Sequence, residues 1–189
     1  LSLAPDGIIS FGQGCEGEPA LAADRISAGI RKIRSVTTRG QINMNSNAGH
    51  PEGMRKIVDA GLDSLRVSMI SARPESYNAY YRASYQLDSV KESIHYALKH
   101  QVYVSINLLH FPGFTDRPEE LHAWQQFFRE LPVQMIQMRN LNIDPTQFLQ
   151  VMPGGEGVPI GTKNFMHLLH EEFPQLVIGS FSHYVAKMP

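Results

Sequence analysis

Four short segments of this 189-residue chain alternate apolar and polar side chains with a period of two. Ile42 and Met44 stand against Asn43, Asn45 and Asn47; Leu65, Val67 and Met69 against Arg66 and Ser68; Val104, Ile106 and Leu108 against Ser105 and Asn107; Ile136 and Met138 against Gln137 and Arg139. Successive side chains of an extended strand point to opposite faces, so each segment reads as a strand with one dry and one polar face. With two further apolar runs, the candidate strands lie near Ile8 to Gly12, Ile42 to Asn47, Ser64 to Ile70, Val102 to Leu109, Met135 to Asn140 and Leu176 to Phe181. Segments of helical period separate them, the pattern of successive βα units and a mainly parallel sheet. An antiparallel sheet with one wet face shows the same alternation, but helix-length connectors argue against it. A closed barrel or a two-sided parallel sheet would read as nearly continuous Val, Ile and Leu. The polar face is therefore expected to line a concave, partly open lumen for a polar small molecule. Unpaired polar groups there cost about 1 to 3 kcal/mol each unless ligand or water satisfies them.

The helical segments carry their own signals. Met54, Ile57, Val58 and Leu62 recur at helical spacing after Pro51, which suits a first turn, and Gly61 can close that helix. Val90, Ile94, Ala97 and Leu98 mark another, with Ser89 and Glu92 at capping-box spacing. Leu121, Trp124, Phe128 and Leu131 form a further stripe. These stripes are read as core packing against the sheet.

Composition narrows the function classes. Seventeen Lys and Arg against 18 Asp and Glu give a net charge of -1, no footprint for a polyanion, so nucleic acid is not a favoured partner. Cys15 is the single cysteine, which excludes a disulfide framework and cannot by itself hold a zinc ion or an iron-sulfur cluster. A reducing, cytoplasmic compartment is expected. No apolar run approaches the roughly 18 residues of a spanning helix, so no membrane partner is expected. Of the scattered histidines only His167 and His170 have helical spacing, without a further ligand, so no metal site is expected in this chain. No Gly-x-Ser-x-Gly elbow organises a hydrolase, and no candidate strand offers a lysine for Schiff-base chemistry. No linker or repeat interrupts the chain, and residues 1–189 are read as one domain.

Four motifs remain. Phe11-Gly12-Gln13-Gly14-Cys15-Glu16-Gly17-Glu18-Pro19 follows the first apolar run directly. Leu65-Arg66-Val67-Ser68-Met69-Ile70 is followed by Tyr77, Tyr80, Tyr81 and Arg82, then by Ser89-Val90-Lys91-Glu92-Ser93-Ile94. Asn107-Leu108-Leu109-His110-Phe111-Pro112-Gly113-Phe114-Thr115-Asp116 ends a further strand, and Ser46-Asn47-Ala48 ends an earlier one. In this order, from about Ile8 to about Pro145, the motifs resemble the radical S-adenosylmethionine (radical SAM) superfamily.

The resemblance implies a partial (β/α)6 TIM-like barrel of mainly parallel strands, here lacking its first βα unit, which is expected upstream of Leu1. Gly17, Glu18 and Pro19 match the end of the superfamily's Gly-Gly-Glu-Pro motif, which holds the amino group of the bound methionine moiety; Glu16 stands where that motif has its first glycine. Ser68 matches the ribose-contacting serine, Arg82 the arginine that pairs with the methionine carboxylate, Asn47 a polar contact at a strand end, and Asn107 the start of the run that packs the adenine. Gln137, Arg139, Asn140, Asn142 and Asp144 are expected on the substrate side. The implied cofactors are S-adenosylmethionine and a 4Fe-4S cluster, whose Cys-x-x-x-Cys-x-x-Cys ligands are absent from this chain; Cys15 is read as a small buried thiol. A complete relative generates a 5′-deoxyadenosyl radical that abstracts hydrogen from its substrate, and this fragment alone is expected to be inactive. The alternatives are a non-catalytic degenerate barrel that binds or scaffolds, self-associating through an open sheet edge, and a metal-free barrel lyase or aldolase.

Overall fold

The structure is a computed structural model that describes residues 6–12, 17–155 and 157–179. Six strands, β1 (Ile8–Phe11), β2 (Gln41–Ser46), β3 (Ser64–Met69), β4 (Tyr103–His110), β5 (Met135–Asn140) and β6 (Val177–Gly179), lie in one sheet in that order. The β1–β2, β2–β3 and β5–β6 pairs are parallel. A sheet of sequential order with helical crossovers is an α/β partial barrel, and the antiparallel alternative is thereby excluded. The helices are α1 (Ala23–Val36), α2 (Pro51–Asp59), α3 (Pro74–Tyr81), α4 (Leu87–Lys99), α5 (Pro118–Glu130), α6 (Pro145–Val151) and α7 (Thr162–Glu172), and a 3-10 turn, Pro19–Ala22, leads into α1. No described helix is long and apolar enough to cross a membrane.

The chain divides into two compact units. One holds the described residues of Leu1–Val67 and Asp88–Ser105, the other Ser68–Leu87 and Ile106–Ser180. In the first, the register pairs Ser10 with Asn43, Asn43 with Ser64, and Asn45 with Arg66, so these polar residues share one face of β1, β2 and β3. Ile42, Met44, Leu65 and Val67 take the opposite face and are fully buried together with Ile30 of α1 and Met54 and Ile57 of α2. In the second unit Trp124 stacks on Phe128 within α5, and Phe128 meets Phe173 edge-on.

Two glycines mark close approaches. A Cβ on Gly12 would lie 2.2 Å from the carbonyl oxygen of Asn45, and the residue sits at φ +75. A Cβ on Gly53, inside α2, would lie 2.5 Å from the carbonyl oxygen of Ala20, so α2 rests directly on the 3-10 turn.

The helix expectations hold for the segments after Pro51 and around Trp124. The capping box does not: α4 begins at Leu87, which puts Ser89 inside the first turn, and Glu92 pairs instead with Arg55 of α2. Strand β6 is described only to Gly179, and the rest of the expected Leu176 to Phe181 strand lies outside the described residues.

Opposite responses to alanine are expected at two helical glycines. Gly29→Ala in α1, where a Cβ meets nothing within 4 Å, should raise the unfolding free energy by about 0.5 to 1 kcal/mol. Gly53→Ala should lower it by about 1 to 3 kcal/mol, because backbone must yield. Urea denaturation of the two variants checks both signs.

Candidate functional site

In the first unit Glu18 serves as a bracket. Its Oε1 accepts from the Ala20 amide at 2.9 Å and the Ser46 hydroxyl at 2.6 Å, and its Oε2 accepts from the Asn47 amide at 2.8 Å. It thus N-caps the 3-10 turn and fixes the end of β2 with one carboxylate. Pro19 is buried beneath it and Gly17, at φ +80, is exposed. Asn47 Oδ1 accepts from the Gly49 amide at 2.9 Å, an Asx turn, while Ala48 is held at φ 55. The expected residues Gly17, Glu18, Pro19 and Asn47 are therefore brought together, with the Glu18 carboxylate engaged by the chain's own donors. Cys15 and Glu16 lie outside the described residues.

In the second unit Ser68 and Asn107 meet. Asn107 Nδ2 donates to Ser68 Oγ at 3.1 Å, and the Tyr81 hydroxyl donates to the Ser68 carbonyl at 3.1 Å. Burial pushes the Tyr81 phenol well above its ordinary range, so it stays a donor. Arg82 is the C-cap of α3, in the left-handed conformation at φ 47, with its amide donating to Asn78 O at 3.0 Å. Its side chain is exposed and makes no ion pair among the described residues.

Helix α3 is anchored at both ends. Tyr81 ties its C-terminus to β3. At its start, fully buried Glu120 of α5 accepts from the Ser76 hydroxyl at 2.8 Å and from the Ser71 hydroxyl, and Arg73 Nη1 lies 3.8 Å away. Burial raises the Glu120 pKa, and the two serines and Arg73 oppose that rise. Ser71 Oγ also accepts from the Arg73 amide at 2.9 Å, so the turn from Ser71 into α3 is tied to this carboxylate.

The strand-end run after Asn107 forms an aromatic cluster. Phe111 stacks on Phe148 of α6 at 4.3 Å, Phe114 meets Phe148 edge-on, and Tyr80 packs edge-on against Tyr81 at 4.9 Å. Ile70, Phe114, Phe148 and Met152 form its buried centre. His110, in the same run, is a buried structural residue. Its Nε2 lies 2.7 Å from Thr162 Oγ1, its Nδ1 has no partner among the described residues, and burial lowers its pKa against the opposing pull of Asp116.

The substrate-side residues are not gathered into one cluster. Gln137 is buried with its amide directed to Met135 Sδ at 3.9 Å, Arg139, Asn140 and Asn142 are exposed, and Asp144 caps α6 by accepting from the Gln147 amide at 2.9 Å. His167 faces Glu171 at 3.3 Å, and no group of three His, Cys, Asp or Glu side chains among the described residues could hold a metal. Glu120 and the Phe111–Phe148 stack escape a reading by sequence spacing, since an acidic first-turn residue is normally a surface partner of the helix dipole.

No family model and no curated protein matches the sequence. Solved structures do. A domain of the pyruvate-formate lyase-activating enzyme from Bacteroides vulgatus ATCC 8482 superposes with TM-score 0.62 at 12% identity, over 91% of this chain and 98% of that one. HydG, a maturase of the FeFe-hydrogenase, gives 0.60 at 16% identity over 92% of this chain and 40% of its own. Coproporphyrinogen III oxidase (HemN) from Escherichia coli, a radical SAM enzyme, gives 0.58 at 13% identity over 79% of this chain and 37% of its own. This chain thus spans less than half the length of the last two, and the likeness is one of fold.

Three variants test the buried groups. Glu120→Ala leaves two buried hydroxyls without their acceptor and should cost about 2 to 5 kcal/mol in chemical denaturation, and Glu120→Gln less. For His110 the folded pKa lies below the unfolded value of about 6.5. As pH falls through that value, the unfolded chain takes up a proton that the folded chain refuses, and stability is lost. The decline in unfolding free energy below about pH 6.5 should be shallower in His110→Asn.

Proposed function

We propose that this chain is the core of a radical SAM enzyme and binds S-adenosylmethionine at the strand ends of its second unit. The carrying observation is the Ser68–Asn107 hydrogen bond, in a fold shared with radical SAM structures, with Arg82 exposed and left-handed at the end of the helix whose Tyr81 hydroxyl binds the Ser68 carbonyl. Ser68 Oγ accepts from Asn107, which leaves its own proton for a ribose oxygen, while Asn107 Oδ1 can accept from a ribose hydroxyl. Arg82 offers a charge-assisted fork to the methionine carboxylate. Tyr81 and Glu120 hold that arginine in place from the two ends of α3. The bound cofactor supplies a sulfonium with a breakable S–C bond, while the aromatic cluster around Phe111 offers an apolar wall of the kind an adenine prefers.

The residues present do not fit a 4Fe-4S cluster. The chain has one cysteine, and such a cluster is held by several thiolates, so no step through it is derived and its ligands would come from sequence outside this chain. That single cysteine also supports a second reading, a barrel that binds the nucleoside without cleaving it. Anaerobic iron and sulfide reconstitution of the full-length protein, with detection of 5′-deoxyadenosine, separates the two.

Arg82→Gly should move stability and binding in opposite directions. Relief of the left-handed strain is expected to raise the unfolding free energy by about 0.5 to 1 kcal/mol. Calorimetric titration with S-adenosylmethionine should show about tenfold or greater loss of affinity. Unchanged affinity removes Arg82 from the site.

A further inference from the structure

One stretch of the first unit carries charge of a single sign. No acidic residue stands between Asp24 and Glu52, while Arg25, Arg31, Lys32, Arg34 and Arg39 all fall there, in a protein whose net charge is -1. The neighbouring charges are settled internally. Arg34 turns inward to Asp63 and donates from Nη1 to the Arg39 and Gly40 carbonyls, both at 3.4 Å, which holds the turn after α1. Asp24 pairs with Lys56 of α2 at 2.7 Å. Arg25, Arg31, Lys32 and Arg39 are left exposed, with no ion pair among the described residues.

Helical geometry gathers this charge on one side. Ala23, Ser27 and Ile30 of α1 are buried, so the opposite side of the helix is outermost. Lys32 and Val36 follow Arg25 by seven and eleven positions, close to two and three turns, so the three share a row on that outer side, and Arg31 flanks it. Val36 is 78% exposed, and Leu21, in the 3-10 turn that leads into the helix, is 72% exposed. Aliphatic groups thus stand at both ends of the cationic stretch.

A solvated helix commonly balances its cations with Asp or Glu one turn away. Asp24 is the one acidic residue of α1, and Lys56 already takes it. Unbalanced cations beside bare aliphatic side chains suit a surface that is anionic outside and apolar beneath, the boundary of a bilayer containing acidic lipids. Nucleic acid fits less well, because residues 19–40 contain no aromatic side chain on which a base could stack, and a phosphodiester backbone gives Val36 and Leu21 nothing. Lack of a spanning helix, the ground for expecting no membrane partner, does not bear on a helix that lies on the surface.

We propose that the exposed side of α1 docks on an anionic lipid bilayer, with Arg25, Arg31, Lys32 and Arg39 at the headgroups and Leu21 and Val36 entering the boundary below them. None of the residues proposed for the cofactor takes part, and the surface is independent of the radical SAM reading.

The full chain is sedimented with vesicles of phosphatidylcholine alone and with vesicles in which about a third of the lipid is phosphatidylserine. Saturable binding to the second kind, falling steeply as salt rises, is expected, with little binding to the first. The double variant Arg25→Glu, Lys32→Glu should weaken it about 25-fold or more, at about fivefold for each cation lost. Val36→Ser should weaken it about threefold and leave the salt dependence unchanged. Lys163→Glu, the same reversal at an exposed lysine of α7, should leave binding as in the wild type. Equal binding to the two kinds of vesicle, or equal losses in the double variant and Lys163→Glu, overturns the proposal. A labelled single-stranded RNA oligomer is titrated in the same buffer. Binding to it that needs Arg25 and Lys32, without binding to vesicles, overturns the lipid assignment in favour of nucleic acid.

Discussion

In a parallel sheet whose strands alternate apolar and polar side chains, every second position carries a group that must find a hydrogen-bond partner. Those positions must be filled by groups that satisfy one another or a ligand, since each unpaired polar group out of water costs on the order of 1 to 3 kcal/mol. In β1 to β3 the requirement is met by the chain of hydrogen bonds from Ser10 through Asn43 and Asn45 to Arg66. In the second unit the Asn107–Ser68 bond meets it with one contact. The apolar half of the alternation, Ile42, Met44, Leu65 and Val67, supplies the core that holds the strands in register.

The β3–α3 segment shows how one stretch of such a face is held in place. A left-handed arginine costs about 1 to 2 kcal/mol, so Arg82 keeps this conformation only because its surroundings impose it. Tyr81 binds the Ser68 carbonyl at one end of the helix, and Glu120 collects Ser71 and Ser76 at the other. Each such bond contributes about 1 kcal/mol net, more where a charged acceptor is involved, which together offset the strain. Glu18 plays the corresponding part in the first unit, joining the 3-10 turn to the end of β2.

The parity of polar and apolar residues locates β2 to β5, because each has one apolar and one polar face, while β1 and β6 are legible only as short apolar runs. The core stripe Leu121, Trp124, Phe128 is legible for the same reason at helical period. Tertiary partners are not periodic, and there the reading by spacing ran out. Ser89 and Glu92 have the spacing of a capping box, but the helix starts two residues earlier and Glu92 finds Arg55 across thirty-seven positions of sequence. Asp144, placed on the substrate side, is consumed as a helix cap, and Gln137 is buried. Glu120 gives no sign in sequence of being fully buried, since its serine partners lie more than forty residues away.

Backbone amide mapping of the full chain with S-adenosylmethionine tests the proposed cofactor site most directly. Saturable shifts at Ser68, Arg82 and Asn107 are expected, with Leu65 and Val67 on the helix-covered face unmoved. Shifts confined to helix-facing residues, or none that saturate, would contradict a cofactor held at these strand ends.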